Sequence, residues 1–231
     1  MNLPQKKPSK KLILILISII MIIAVWQILP DFLAPKHSAD EIINTSIQNL
    51  KNTPALSFKA TSCLEIEGKQ RTFGNINGEL QNNGDFHIHG DILGSNIDLY
   101  QIGETTYRKD NISGNWQKTE ENALIYQTAL FNETNPLAQF DFTDYSSAEI
   151  INCEEKQTMA VTFCPNLSTD TITQYFSDVT YTIYCNNDLQ MKKVIVTGNL
   201  KNNSVQGDLQ IITEFGILPE NHKIKPPITE N

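Results

Sequence analysis

Beyond residue 54 the chain alternates between apolar and polar positions. Leu56, Phe58, Ala60, Leu64 and Ile66 take turns with Ser57, Lys59, Thr61, Cys63, Glu65 and Glu67. A period of two over so long a run predicts an antiparallel strand across 55–67 with one face buried. Residues 70–81 continue the pattern, with Gly74 and Gly78 on the face that carries Ile76 and Leu80. In 85–93, Phe86, Ile88, Gly90 and Ile92 share one face, and Asp85, His87, His89 and Asp91 take the other. Turn residues at Asn82-Asn83-Gly84, Gly94-Ser95-Asn96 and Gly103-Glu104 mark off strands at 97–102 and 105–109, and Trp116 follows a loop over 110–115. Later strands are expected at 148–154, 158–164, 179–185, 189–198 and 204–214.

A helical period precedes the strands. Ala39, Ile43, Ile47 and Leu50 recur at helical spacing, behind Ser38 with Glu41 three residues on, and Asn52-Thr53-Pro54 ends the run. Ser with Glu at that spacing is the capping box, in which side chains satisfy the first backbone N–H groups. Two further helices are expected, over 119–132 with its acidic first turn and from Ser168 to Phe176. Residues 216–231 are polar and Pro-rich and read as a flexible tail. About ten strands and three helices predict an α+β domain: one long meandering antiparallel sheet whose apolar face is covered by helices. An immunoglobulin-like sandwich fits less well, because the strands are long and helices interrupt their order.

The N-terminus breaks both patterns. From Leu12 to Leu29 the polar residues are Ser18 and Gln27 alone. Eighteen residues at a helical rise of about 1.5 Å span roughly 27 Å, close to the hydrocarbon core of a bilayer. Lys6, Lys7, Lys10 and Lys11 precede the run with no acidic residue among them, and lysines at a spanning end stay cytoplasmic. A cleaved signal peptide would have a shorter apolar region and small residues at its cleavage site. Here Ala34 and Ala39 have Phe32 and His37 at their −3 positions. The reading is an uncleaved, single-pass anchor at the cell membrane: 1–11 a basic cytoplasmic tail, 12–29 the transmembrane span, 30–37 a tether and 38–215 an extracytoplasmic domain.

Charge narrows the partners. Of 18 basic residues four precede the apolar run, leaving 14 against 26 acidic ones, a net charge near −12 for the exported part. Nucleic acid and anionic headgroups both call for Lys/Arg clusters, so neither is expected as a partner. The four cysteines, Cys63, Cys153, Cys164 and Cys185, are even in number and lie in the exported part. Two disulfides are expected, with the pairing open among three connectivities, or buried thiols in a reducing cell. A tight turn at 154–157 would set Cys153 opposite about Thr158, away from Cys164.

The order of elements resembles a known group. The capped helix leads straight into ALSFKATSCLEIEGK, then glycine-punctuated strands, then DFHIHGDILGSNIDLYQIGETTYRKDNISGNWQK. This stretch, and the chain from about 38 to 214, resembles lipoprotein-carrier-like domains: the LolA/LolB carriers, the LppX/LprG-type lipid-binding lipoproteins and the RseB-type sensor domains. The resemblance implies a strongly curved, incomplete β-barrel with helices on its concave face and an apolar ligand between sheet and helices. Carried onto this chain, the lining would be Phe58, Leu64, Ile76, Ile88, Ile92 and Leu99, with Trp116 closing one end. No lipobox cysteine is present, so attachment by a lipid is excluded and the apolar span replaces it.

Other chemistry is sparse. His87-x-His89 places two imidazoles on one strand face beside Asp85 and Asp91, a geometry that needs a third ligand to hold a metal. The plainer reading is the solvated face of a strand, and no metal or cofactor is expected. No G-x-S-x-G elbow, P-loop, G-x-G-x-x-G or H-E-x-x-H occurs. Cys63 falls on a polar strand face, and Glu120-Glu121 and Glu154-Glu155 sit at a helix start and a turn. No catalytic residue is expected. Gly74, Gly78 and Gly90 remove volume from the inward face, which points to a cavity, a close helix approach or strong strand curvature. Two functions are expected from these features: a membrane-anchored module holding a lipid or apolar ligand, or an envelope sensor or scaffold that binds another protein through the same domain.

Overall fold

The structure, a computed structural model, describes residues 37–120, 136–153, 158–167, 174–201 and 206–227. The chain divides into one unit ending at His37 and a second from Ser38 to Asn231, and every element below belongs to the second. The apolar run 12–29, the 119–132 helix beyond residue 120 and most of the Ser168–Phe176 helix lie outside the described residues. Among the described residues no helix is long and apolar enough to cross a membrane.

Helix α1 spans Ala39–Lys51. Ser38 Oγ accepts the Glu41 backbone N–H at 3.1 Å, as the capping box requires, and Asp40 and Glu41 complement the helix dipole. Ile42, Ile43, Ser46 and Leu50 are its buried stripe. The strands are β1 (Ala55–Ile66), β2 (Lys69–Gln81), β3 (Phe86–Ile92), β4 (Ser95–Ile102), β5 (Thr105–Lys109), β6 (Trp116–Thr119), β7 (Tyr145–Ile151), β8 (Thr158–Pro165), β9 (Phe176–Asn186), β10 (Met191–Leu200) and β11 (Gly207–Ile217). They form one sheet in the order β6-β5-β4-β3-β2-β1-β11-β10-β9-β8-β7, and every pairing is antiparallel. The sheet is curved and open, an incomplete barrel with β6 and β7 as its edges.

Even-numbered positions of β1 face the core: Leu56, Phe58 and Ala60 are buried, and β11 answers with Phe215, Thr213 and Leu209. Val194 and Val196, Tyr181 and Ile183, and Val161 and Phe163 extend this face to β8. Helix α1 lies chiefly on β7–β10. Its first turn is held by the Tyr145 hydroxyl, which donates to Asp40 at 3.0 Å and accepts from Asn44 at 3.3 Å. Its last turn is held by Lys51, which reaches the Phe140 carbonyl at 3.2 Å and Asp141 at 2.9 Å. Beneath it Phe140, Phe142, Tyr145, Phe163 and Tyr181 form an aromatic cluster with ring centroids 5.3–6.4 Å apart. Such pairs contribute ~0.5–1.5 kcal/mol each beyond their buried area.

Several expectations are corrected. Among the described residues the strands number eleven, and Trp116–Thr119 is the short edge strand β6. Phe176 opens β9 instead of closing a helix. Strand β11 runs to Ile217, and the described residues after it, to Pro227, are held against the domain instead of lying loose. Ile224 is buried, Gln81 Nε2 donates to the His222 carbonyl, and His222 Nε2 lies 2.9 Å from Glu79 Oε2. The polar text there is a strap docked on β2.

The expected disulfides are absent: Cys63, Cys153, Cys164 and Cys185 are all free thiols. Register explains it. Cys63 and Cys164 both point away from the core, but β11, β10 and β9 lie between their strands, a separation of about 19 Å against the ~6 Å between Cα atoms that a disulfide needs. Cys185 points into the core opposite Met191. The register Ile151–Ala160 sets Cys153 against Thr158, while Cys164 pairs with Ser146 at the other end of β7.

Candidate functional site

The inward face of β1–β4 is a checkerboard of large and small side chains in three cross-strand rows. One row runs Phe58–Gly78–Ile88–Leu99, the next Ala60–Ile76–Gly90–Ile97, the third Ser62–Gly74–Ile92–Ser95. In the first, the Phe58 ring occupies the space that a Gly78 side chain would need. In the second, Gly90 has φ +148°, and a Cβ there would run into the backbone of Asn75 and Ile76. That glycine serves close strand approach, hence curvature. In the third, a Cβ on Gly74 would meet Ser62 only at ordinary contact distance, 3.5 Å. The small residues Ser62 and Gly74 therefore put little side-chain volume into this row beside Ile92.

Burial divides the expected lining. Phe58, Ile76 and Ile88 are buried in the main core, whereas Leu64, Ile92 and Leu99 are half-buried on the same face. Ile97, across from Gly90 and also half-buried, belongs with them and was missed, although its alternation with Leu99 was visible. The face ends at a buried polar pair: Thr106 Oγ1 donates to Gln101 Oε1 at 2.6 Å, and Gln101 Nε2 donates to the Gly103 carbonyl at 2.7 Å. A satisfied pair of this kind costs little to bury.

Trp116 is not part of this face. It pairs with Lys109, and its ring meets Tyr100 edge-on at 5.3 Å. Tyr100 in turn stacks on His87 at 3.8 Å, on the side of β3 opposite Ile88. The sheet's outer surface thus carries a ladder of His87, Tyr100 and Trp116. His87 Nε2 lies 3.0 Å from Asp98, and Lys109 stands 5.8 Å from the Trp116 ring centre. Partial burial, then the negative charges of Asp98 and Glu79, raise the Tyr100 hydroxyl above its usual range. His87 is therefore packed, with 18% of its side chain exposed, and not on a simply solvated face. Among the described residues no group of three His, Cys, Asp or Glu side chains is placed to hold a metal ion.

Of three clefts, the second reaches Phe58 and Gly78 of the first row. One of about 370 Å³ sits where α1 ends, between Leu50, Leu56, Met191 and Phe215. One of about 400 Å³ runs over Lys59, Glu79 and Glu214. One of about 350 Å³ lies beside Cys63, Glu65 and Asp208. Leu64, Ile76, Ile88, Ile92 and Leu99 line none of these three. Cys63 and Cys164 lie 3.5 and 3.8 Å from threonine hydroxyls, and burial pushes the Cys185 thiol up to about 11, which makes it a poor nucleophile.

No protein-family model matches the chain, and no curated protein matches it. Among solved structures, LprF from Mycobacterium bovis is 11% identical, with a TM-score of 0.44 over 77% of this chain and 93% of its own. A DUF1329 family protein from Desulfovibrio piger is 9% identical, with a TM-score of 0.34 over 77% and 89%. The MucA/MucB complex of Pseudomonas aeruginosa gives 12% identity and a TM-score of 0.34 over 78% and 58%.

Proposed function

We propose that the domain from Ser38 onward is an extracytoplasmic binding module that holds a lipid or other apolar ligand against the inward face of the sheet. Residues 12–29 tie it to the outer side of the membrane. One observation carries the reading: α1 lies chiefly on β7–β10, while Leu64, Ile92, Ile97 and Leu99 continue the apolar face on β1–β4 and are only half-buried. Apolar surface left partly open beside the small residues Ser62 and Gly74 is what an acyl chain would cover. Burying roughly ten methylenes contributes about 8 kcal/mol before ordering costs. The reading is of a binder rather than an enzyme: Cys185 is buried, His87 stacks on Tyr100 beside Asp98, and His222 lies against Glu79. A permanent span suits holding, sensing or local hand-off better than carriage between membranes.

Mass spectrometry of lipids retained by the full chain after purification in mild detergent tests this. One lipid class near equimolar ratio, lost in Leu99→Asn, is the expected result. Repeated recovery without lipid overturns it. A single dominant protein cross-linked in cells in its place supports the sensor or scaffold reading.

A further inference from the structure

The two rims of the sheet differ. Strands β1, β3 and β5 run toward one rim, where the turns Glu67-Gly68 and Leu93-Gly94 and the loop 110–115 lie. Helix α1 starts at that rim. Its first turn is tied to Tyr145 at the start of β7, and its last turn reaches the Asp188-Leu189 turn at the other rim through Asn49. The chain therefore enters the domain, at Ser38, on the rim that carries these turns.

Among the described residues, the three most exposed large apolar ones are on that same rim. Ile112 is 99% exposed, Leu93 76% and Tyr175, just before β9, 58%. Two are held there by built features. The Asp110 carboxylate accepts from the Ile112 and Ser113 backbone N–H groups at 3.1 and 2.6 Å and from the Ser113 hydroxyl at 2.8 Å. Asn111 Nδ2 donates to the Asn96 carbonyl at 2.6 Å. The loop is thus pinned to β4 with Ile112 projecting. Leu93 has φ +52° and Gly94 φ +75°, so a leucine occupies a left-handed turn position that Asn, Asp or Gly fill at lower cost. Trp116, half-buried, stands at the root of the Ile112 loop beside Lys109. Single exposed apolar residues are ordinary. Preshaped apolar tips backed by a Trp and a Lys, on the rim where the chain enters, are the composition of a membrane–water interface.

We infer that this rim docks on the bilayer, with Leu93 and Ile112 inserted among the lipids and Trp116 at headgroup level. The inference rests on the anchor reading above. The eight-residue tether 30–37 spans at most about 28 Å, so the entry rim stays close to the membrane. The half-buried Leu64 and Ile92 and the small Gly74 lie near the same ends of β1, β3 and β2, so docking would bring this part of the apolar face toward the lipid. With a net charge near −12 on the exported part, contact is apolar and does not need anionic lipid.

The test uses the full chain in phosphatidylcholine vesicles, with a photoreactive diazirine residue at 93, 112, 104 or 20. Position 104 is on the Gly103-Glu104 turn of the opposite rim, and position 20 is inside the apolar run. Lipid adducts at 93 and 112 about ten-fold above those at 104, unchanged by salt, are expected. Adducts at 93 and 112 no higher than at 104, with strong labelling at 20, overturn the docking rim and leave the anchor standing. Labelling at 93 and 112 without labelling at 20 removes the anchor and leaves the rim. Leu93→Ser with Ile112→Ser should keep the melting temperature, since both side chains are exposed, and halve or better any labelling from position 116.

Discussion

Gly90 and Gly74 sit on the same apolar face, and alanine at the two should have opposite effects. At Gly90, φ is +148°, and the added Cβ lies 2.8 Å from the Ile76 Cα and closer still to the Asn75 carbonyl oxygen. Both neighbours are backbone of the paired strand, so neither can swing aside. The conformational strain costs about 1–3 kcal/mol. Displacing β3 from β2 weakens one or two ladder hydrogen bonds at about 1 kcal/mol each. Gly90→Ala should therefore lose about 2–5 kcal/mol, a large part of the ~5–15 kcal/mol that holds a typical domain. At Gly74 the Cβ meets Ser62 at 3.5 Å with no unusual φ, so Gly74→Ala should be neutral or gain up to about 1 kcal/mol by restricting the unfolded chain. Urea unfolding of both variants measures this: at an m-value of about 2 kcal/mol/M, Gly90→Ala shifts the midpoint down by roughly 2 M with m unchanged. If Gly90→Ala stays within about 1 kcal/mol of the parent, or Gly74→Ala costs as much as Gly90→Ala, the assignment of Gly90 to strand curvature is wrong.

Two further outcomes follow from burial. Cys185 should resist thiol reagents at pH 8 in the folded chain, while Cys63 and Cys164 react slowly and all four react in urea. Because burial holds the folded Cys185 thiol near 11 against an ordinary value of 9.0, its contribution to stability is complete below pH 9 and lost as pH rises to 11. The parent should then lose roughly 2–3 kcal/mol more than Cys185→Ala over that interval, and parallel pH profiles of the two would refute it. Ile224→Ala should cost about 2 kcal/mol by emptying the site of a buried side chain in the strap. A change below about 0.5 kcal/mol in thermal or urea unfolding would show the strap to be undocked.

What was legible and what was not separates along one physical line. Alternation within a strand is local, so the inward set Phe58, Ile76, Ile88 and Leu99 was readable from parity alone, as was the capping contact between Ser38 and Glu41. Parity does not survive a loop. The six residues 110–115 separate β5 from β6, and only the observed pairing of Lys109 with Trp116 reveals that the indole faces outward. The cysteine expectation failed for a related reason. An even count says nothing about strand order, and it is β11, β10 and β9 between Cys63 and Cys164 that forbid a bond. The strap fails local reading most completely. Its residues are polar and Pro-rich, and what docks them is Gln81 and Glu79, more than 140 positions away. The glycines lie between these cases: their face was legible, but three equal signals had three different causes. Gly78 receives a ring, Gly90 receives a neighbouring backbone, and Gly74 alone leaves room. Of the face that parity marks as apolar, the half-buried end with little side-chain volume is the one around Gly74, Leu64 and Ile92. It lies near the rim that Leu93 and Ile112 would set against the membrane.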